Sequence, residues 1–236
     1  MNPLAVVTGG TKGIGKALIE RFMSGGFDII TCARNLHDLE DLEKEMKGLF
    51  GDSTLYYLPA DLSLRANVDA FLDFVKSKNR FTEVLINNTG VFIPGQVHNE
   101  SEGTLEKTME TNVYSAYHLT RGFVGDMMAN RKGHIFNICS TASIMAYPNG
   151  GSYCISKFAL YGMTKVLRVE MEPHDVKVTA VLPGATLTDS WKGVDLPEER
   201  FIDPKDVADA IWAAYSLSPR AVMEEILIRP QLGDLD

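Results

Sequence analysis

Thr8-Gly9-Gly10-Thr11-Lys12-Gly13-Ile14-Gly15 is the stretch that decides the fold. It follows the apolar run Leu4 to Val7, which reads as a buried strand. It precedes the amphipathic stretch Gly13 to Ser24, which reads as a helix closed by Gly25-Gly26. Glycines at such a junction permit a tight turn and let backbone amides approach a ligand closely. The helix start behind them presents unpaired N–H groups and the positive end of a dipole. Strand, glycine loop and helix in that order form a cradle for a pyrophosphate. Thr8, Gly9, Thr11, Lys12, Gly13, Ile14 and Gly15 are therefore the first candidate cofactor-binding residues.

Outward from this loop, short apolar runs alternate with helix-like segments. Strands are expected at Asp28 to Ala33, Thr54 to Leu58, Glu83 to Ile86, Ile135 to Ile138, Val176 to Leu182 and Val222 to Ile228. Helices are expected at Asn35 to Lys47, Ser63 to Lys76, from about Thr104, from about Val113, at Gly151 to Met171 and at Asp203 to Tyr215. Parallel neighbours need crossover helices, so this alternation predicts an α/β protein. The expected architecture is one Rossmann-type doubly wound sheet of seven mostly parallel strands with helices on both faces. No linker or repeat interrupts it, so residues 1–236 read as a single domain.

The chain has 236 residues and a formal net charge of -8, which argues against nucleic acid or an anionic membrane as partner. Cys32, Cys139 and Cys154 lack metal-ligand spacing and read as free thiols in a reducing compartment. No secretory signal and no membrane-spanning apolar stretch is visible, so a cytoplasmic location is expected. No cluster suggests a metal; His98 and His118 read as surface or packing residues.

The chemistry is expected on the second half of the chain. In Tyr153-Cys154-Ile155-Ser156-Lys157, Tyr153 and Lys157 stand four residues apart and share one helix face. A phenol is a poor acid–base group near neutral pH, and a neighbouring ammonium favours its ionised form. That spacing predicts a phenol tuned to exchange a proton with an alkoxide.

The glycine loop follows TGxxxGxG rather than the common GxGxxG spacing, and here the chain resembles the short-chain dehydrogenase/reductase family. Further motifs appear in family order: Asp61-Leu62 after the third strand, Asn87-Asn88-Thr89-Gly90 after the fourth, Asn112, Ser140, the Tyr153/Lys157 pair, and Pro183-Gly184 followed by Thr186 and Thr188. The resemblance implies roles. Asp61 and Leu62 would meet adenine, and Asn88 and Gly90 would line the cofactor. Ser140 would polarise a carbonyl, and Tyr153 would be the general acid/base. Lys157 would also bond the nicotinamide ribose, while Asn112 would hold a water in the proton relay. Pro183, Gly184, Thr186 and Thr188 would cradle the carboxamide. Taken singly, Asp61 reads equally as a helix cap and the asparagines as turn residues. Thr89 replaces the family's alanine. Cys139, beside Ser140, reads as packing or as an oxidisable thiol.

NADP(H) is the expected cofactor. In NAD-binding folds an acid at the end of the second strand accepts from the ribose hydroxyls. Here Ala33 holds that place, Arg34 follows it, and Lys12 adds a second cation. The expected reaction is reduction of a small carbonyl compound to an alcohol. The string Glu224 to Pro230, with Trp191, is similar to bacterial sepiapterin-reductase-like members, which implies a dicarbonyl or a pterin side chain. Alternatives are a 3-oxoacyl thioester reductase and, in another class, a non-catalytic NADP(H)-sensing regulator. Phe92, Met145, Tyr147 and Trp191 are candidate pocket walls or ordinary packing residues. Residues 187 to 197 are expected to act as a lid. The resemblance also implies a homodimer or homotetramer built on the long helices around Val113 and Tyr153.

Overall fold

The computed structural model describes residues 1–191, 193 and 195–235. Its strands are β1 (Leu4–Thr8), β2 (Asp28–Ala33), β3 (Leu55–Pro59), β4 (Thr82–Asn87), β5 (His134–Ile138), β6 (Lys177–Pro183) and β7 (Glu225–Ile228). They form one sheet in the order β3-β2-β1-β4-β5-β6-β7. Every pairing is parallel. The helices are α1 (Gly13–Ser24), α2 (Leu36–Leu49), α3 (Arg65–Lys76), α4 (Thr104–Met109), α5 (Ser115–Asn130), α6 (Gly151–Met171) and α7 (Pro204–Tyr215).

The strands read as continuous apolar runs because both sheet faces are covered. Successive side chains alternate between the two faces. Ala5 and Val7 join Leu18, Phe22, Met46 and Ile211 on the face covered by α1, α2 and α7. Leu4 and Val6 join Phe71, Phe123, Met127 and Leu167 on the face covered by α3, α5 and α6. The first face carries an aromatic cluster in which the Phe22 ring lies 5.2 Å from both Phe27 and Trp212.

Several element boundaries shift by a residue or two from the sequence reading, and three differences have a specific physical reason. The third helix starts at Arg65, not Ser63, because the Asp61 carboxylate accepts the Ser63 N–H and O–H at 3.0 and 2.8 Å. The stretch expected as a helix from Val113 opens as a π-helical turn, Glu110–Tyr114, that joins α4 to α5. The last strand begins at Glu225 rather than Val222. The Met223 carbonyl is taken by the Thr179 hydroxyl, and the Glu224 carbonyl is shared between the Ala180 N–H and the Arg168 side chain.

Strand order reverses beside β1: the chain moves outward to β3, then crosses back to β4 on the opposite side. In open α/β sheets that reversal leaves a crevice at the carboxyl ends of the strands, where ligands bind. The glycine loop after β1 and Asn88 to Gly90 after β4 lie there.

Candidate active site

The glycine loop is built to be approached closely. Gly9 and Gly13 have φ of +68° and +52°, in the left-handed region that side chains disfavour. A Cβ on Gly15 would overlap the Gly9 carbonyl. Lys12, at the start of α1, makes no side-chain cap, so the first amides of this helix face the crevice without a side-chain acceptor. Ile14 packs against the core beneath the loop. These residues fit a dinucleotide pyrophosphate.

Two residues expected to touch cofactor also brace the loop. Thr8 is buried, and its hydroxyl accepts the Asn88 and Thr89 N–H groups at 3.0 and 2.9 Å. The Asn88 amide donates to the carbonyls of Thr8 and Gly9 at 2.8 and 3.1 Å. Thr89, the departure from the family alanine, is accommodated because its hydroxyl lies over Gly9, which has no side chain. Leu62 is likewise a core residue, so only its backbone can reach a ligand.

Lys12 was read as a cation for a 2′-phosphate, but it sits between two carboxylates, Asp38 at 3.5 Å and Asp189 at 3.6 Å. Both partners escape a local reading because they lie 26 and 177 residues away in the chain. Arg34 is exposed at the end of β2 and forms no ion pair among the described residues.

The reacting groups come from three elements. Ser140 follows β5, and its hydroxyl accepts the Ala142 N–H at 3.1 Å, capping a short helical turn. Tyr153 lies in the first turn of α6, near enough to Ser140 for that side chain to favour its ionised form. The Phe92 ring stands edge-on to Tyr153 at 4.9 Å. Lys157, one turn on, is buried and donates from Nζ to the Ile138 carbonyl at 2.7 Å. Asn112 occupies the π-helical turn, an irregularity common at functional sites. Its Oδ1 accepts the Val91 N–H at 2.7 Å, and its Nδ2 donates to the Val91 carbonyl and to Ser156 Oγ at 3.0 and 2.9 Å. Gly90 leaves space beside both: a Cβ there would lie 3.4 Å from Asn112 Oδ1 and 3.6 Å from Lys157 Nζ.

Burial sets the electrostatics. Tyr153 is pushed above the ordinary phenol value by burial, with the Ser140 side chain pulling the other way. This reverses the expectation of a phenol lowered by the lysine. Burial outweighs the charge, since Lys157 Nζ is turned to Ile138 and lies 5.7 Å from the Tyr153 ring. Burial also brings Lys157 down to about 8 and pushes the Cys139 thiol up to about 11, which leaves Cys139 a poor nucleophile near neutrality.

The substrate end is formed around Pro183-Gly184. The Gly184 N–H donates to Ile228 at 2.8 Å, and the segment after β7 closes on it, with Pro230 Cδ 3.1 Å from where a Gly184 Cβ would stand. Thr186 is buried, its hydroxyl donating to Gly184 at 3.0 Å, while the Thr188 methyl packs on Gly13. Met145, Tyr147 and Phe92 are partly exposed, and Trp191 packs on Phe201 at 5.2 Å. Of the segment read as a lid, Lys192 and Val194 lie outside the described residues. Arg229, which the sequence reading did not place in a site, reaches Met145 Sδ at 3.7 Å and pairs with Asp234. No local sequence signal marks that contact, which spans 84 residues.

A glycine-cradled crevice beside a hydroxyl pair and a buried amine defines a dinucleotide-binding protein with acid–base groups. The short chain dehydrogenase family model matches residues 3–199. A sepiapterin reductase of Chlorobaculum tepidum is 31% identical over all of this chain and 99% of its own length. An NAD-dependent glycerol dehydrogenase of Listeria innocua is 30% identical over 95% of this chain and 91% of its own length. A metagenomic short-chain oxidoreductase solved in complex with NADP superposes with a TM-score of 0.84, at 28% identity and 97% coverage of both chains. The chain belongs to the short chain dehydrogenase family. It is an oxidoreductase acting on CH–OH or carbonyl groups with a nicotinamide cofactor. No helix among the described residues is long and apolar enough to cross a membrane.

Proposed function

We propose that this enzyme reduces a small ketone or dicarbonyl compound to an alcohol with NADP(H), using Tyr153 as general acid. The observation that carries this is the Tyr153 phenol, on which the Ser140 side chain acts to favour ionisation, one helical turn from the buried Lys157. A bound nicotinamide supplies the hydride in reduction and accepts it in the reverse direction. The chain supplies position and proton. The Ser140 and Tyr153 hydroxyls donate to the substrate oxygen. Tyr153 gives up its proton as negative charge develops there, and Lys157 in its ammonium form favours the resulting phenolate. Asn112 holds Val91 and Ser156 in place on either side of this centre.

Support for NADP(H) comes from Ala33 and Arg34 at the end of β2 and from the NADP complex of the metagenomic relative. Similarity to the Chlorobaculum sepiapterin reductase supports a dicarbonyl or pterin-side-chain substrate. The aromatic and thioether walls Phe92, Tyr147 and Met145 suit a flat or apolar substrate of that kind. The buried free thiols suit a reducing, cytoplasmic setting.

Tyr153→Phe removes only the phenolic oxygen. It should keep NADPH affinity within a few-fold and lose at least about a hundredfold in turnover, as expected for general acid–base catalysis. The checks are NADPH absorbance decay over a panel of diketones, quinones and pterins, and fluorescence titration of NADPH. A variant that turns over within a few-fold of the parent overturns the assignment.

A further inference from the structure

The segment between β4 and α4 is tied to the catalytic helix and its flanks at several points. Val91 is clamped on both backbone groups by Asn112. Phe92 stands against the Tyr153 ring. The Gly95 N–H donates to the Asn149 carbonyl at 3.0 Å, and Gly95 pairs with Gly150 in an isolated parallel bridge. Glu100 completes the series. One carboxylate oxygen accepts the Ser152 N–H at 2.8 Å, and the other accepts the Ser152 hydroxyl.

This contact supplies what α6 lacks. The residue at its N-cap is Gly150, which has no side chain to satisfy the first amides. A carboxylate at a helix N-terminus both accepts those N–H groups and complements the dipole. Here it arrives from 52 residues upstream. The local backbone is shaped around it. Gly151 has φ of +25°, and a Cβ there would overlap the Glu100 carboxylate. Ser152 is buried and Glu100 half-buried, so the pair is partly shielded from water. The next residue is Tyr153.

We propose that Glu100 is a positioning residue: by capping α6 at Ser152 it sets where the Tyr153 hydroxyl stands relative to Ser140, and it fixes the 91–100 segment to the same helix. The inference rests on the reading of Tyr153 as general acid. Small displacements of a reacting group cost rate steeply, whereas the glycine loop that would bind the dinucleotide pyrophosphate lies between β1 and α1 and makes no hydrogen bond to Glu100 among the described residues. Glu100 therefore controls turnover rather than cofactor affinity.

The test compares Glu100→Ala, Glu100→Gln, Ser152→Ala and Tyr153→Phe in the full chain. It uses turnover of the best carbonyl substrate, NADPH affinity by fluorescence, and amide hydrogen exchange over residues 151–154. Glu100→Ala should lower kcat at least about tenfold, leave NADPH affinity within about threefold, and speed exchange in that first turn. Glu100→Gln, which keeps an acceptor for the Ser152 N–H and a polar group for its hydroxyl, should recover most of kcat. Should Glu100→Ala fail to fold, Ser152→Ala decides, with lower kcat at unchanged NADPH affinity expected. Unchanged kcat in the folded variant, unaltered exchange, parallel loss of NADPH affinity, or no recovery with glutamine overturns the proposal. If Tyr153→Phe stays active, the reading of the site itself fails. If Tyr153→Phe is inactive while Glu100→Ala is unimpaired, only the role of Glu100 fails.

Discussion

Lys157 donates from its buried Nζ to the backbone carbonyl of Ile138, 2.7 Å away at the end of β5. Its charge has no carboxylate partner among the described residues, and burial lowers its pKa to about 8. Between pH 8 and 10.5 the unfolded chain therefore binds a proton that the folded chain does not, so stability from this group rises with pH. In the absence of added dinucleotide, the stability of the parent relative to Lys157→Met should rise by on the order of 3 kcal/mol across that window. Urea unfolding of both proteins at several pH values measures it. A difference that stays constant with pH contradicts the buried ammonium.

His134 gives the opposite end of the pH range. It is buried, with Nε2 2.8 Å from Thr179 Oγ1, and burial brings its pKa down to about 3. The Thr179 hydroxyl donates to Met223, so the His134 ring donates from Nε2, and burial keeps the ring neutral near pH 7. Neutral His134 resists protonation that the unfolded chain accepts near pH 6.5, so this contribution is lost as pH falls from 6.5 toward 3. His134→Gln keeps a donor but cannot titrate. Its stability curve should be flatter over that range by close to one proton, read from unfolding midpoints against pH.

Cofactor choice should turn on β2. Ala33→Asp places an acceptor for the ribose hydroxyls and a charge that repels a 2′-phosphate, so the ratio of kcat/KM for NADPH over NADH should fall by at least about tenfold. Lys12 is already engaged by Asp38 and Asp189, whereas Arg34 forms no ion pair among the described residues. Arg34→Ala should therefore weaken NADPH binding more than Lys12→Ala. A parent that prefers NADH would contradict the assignment.

The proposed oligomer has a surface to test. Ile155, Phe158, Val166 and Val169 form one apolar stripe along α6, exposed by 42, 46, 60 and 70%, and Tyr114 and Tyr117 add to it from the neighbouring turn and α5. Residues at this spacing share a helix face. Light scattering should show a dimer or tetramer for the parent. Phe158→Asp should reduce that mass without lowering helical content. A monomeric parent removes the proposal.

The fold was legible because its signals are local. A glycine loop between an apolar run and an amphipathic stretch, and the alternation that follows, depend on neighbours within a turn or two. They give the parallel sheet and its ligand-binding end. The Tyr153–Lys157 spacing is likewise a property of one helix. What the tertiary structure decided are contacts between residues far apart in the chain and the environment they create. Thr8 and Asn88 become braces because β4 lies beside β1. Lys12 is offset by Asp189 only because the loop after β6 returns to the glycine loop. The shifts of Tyr153 and Lys157 follow from burial, and burial is the sum of everything packed around a group rather than a feature of its sequence.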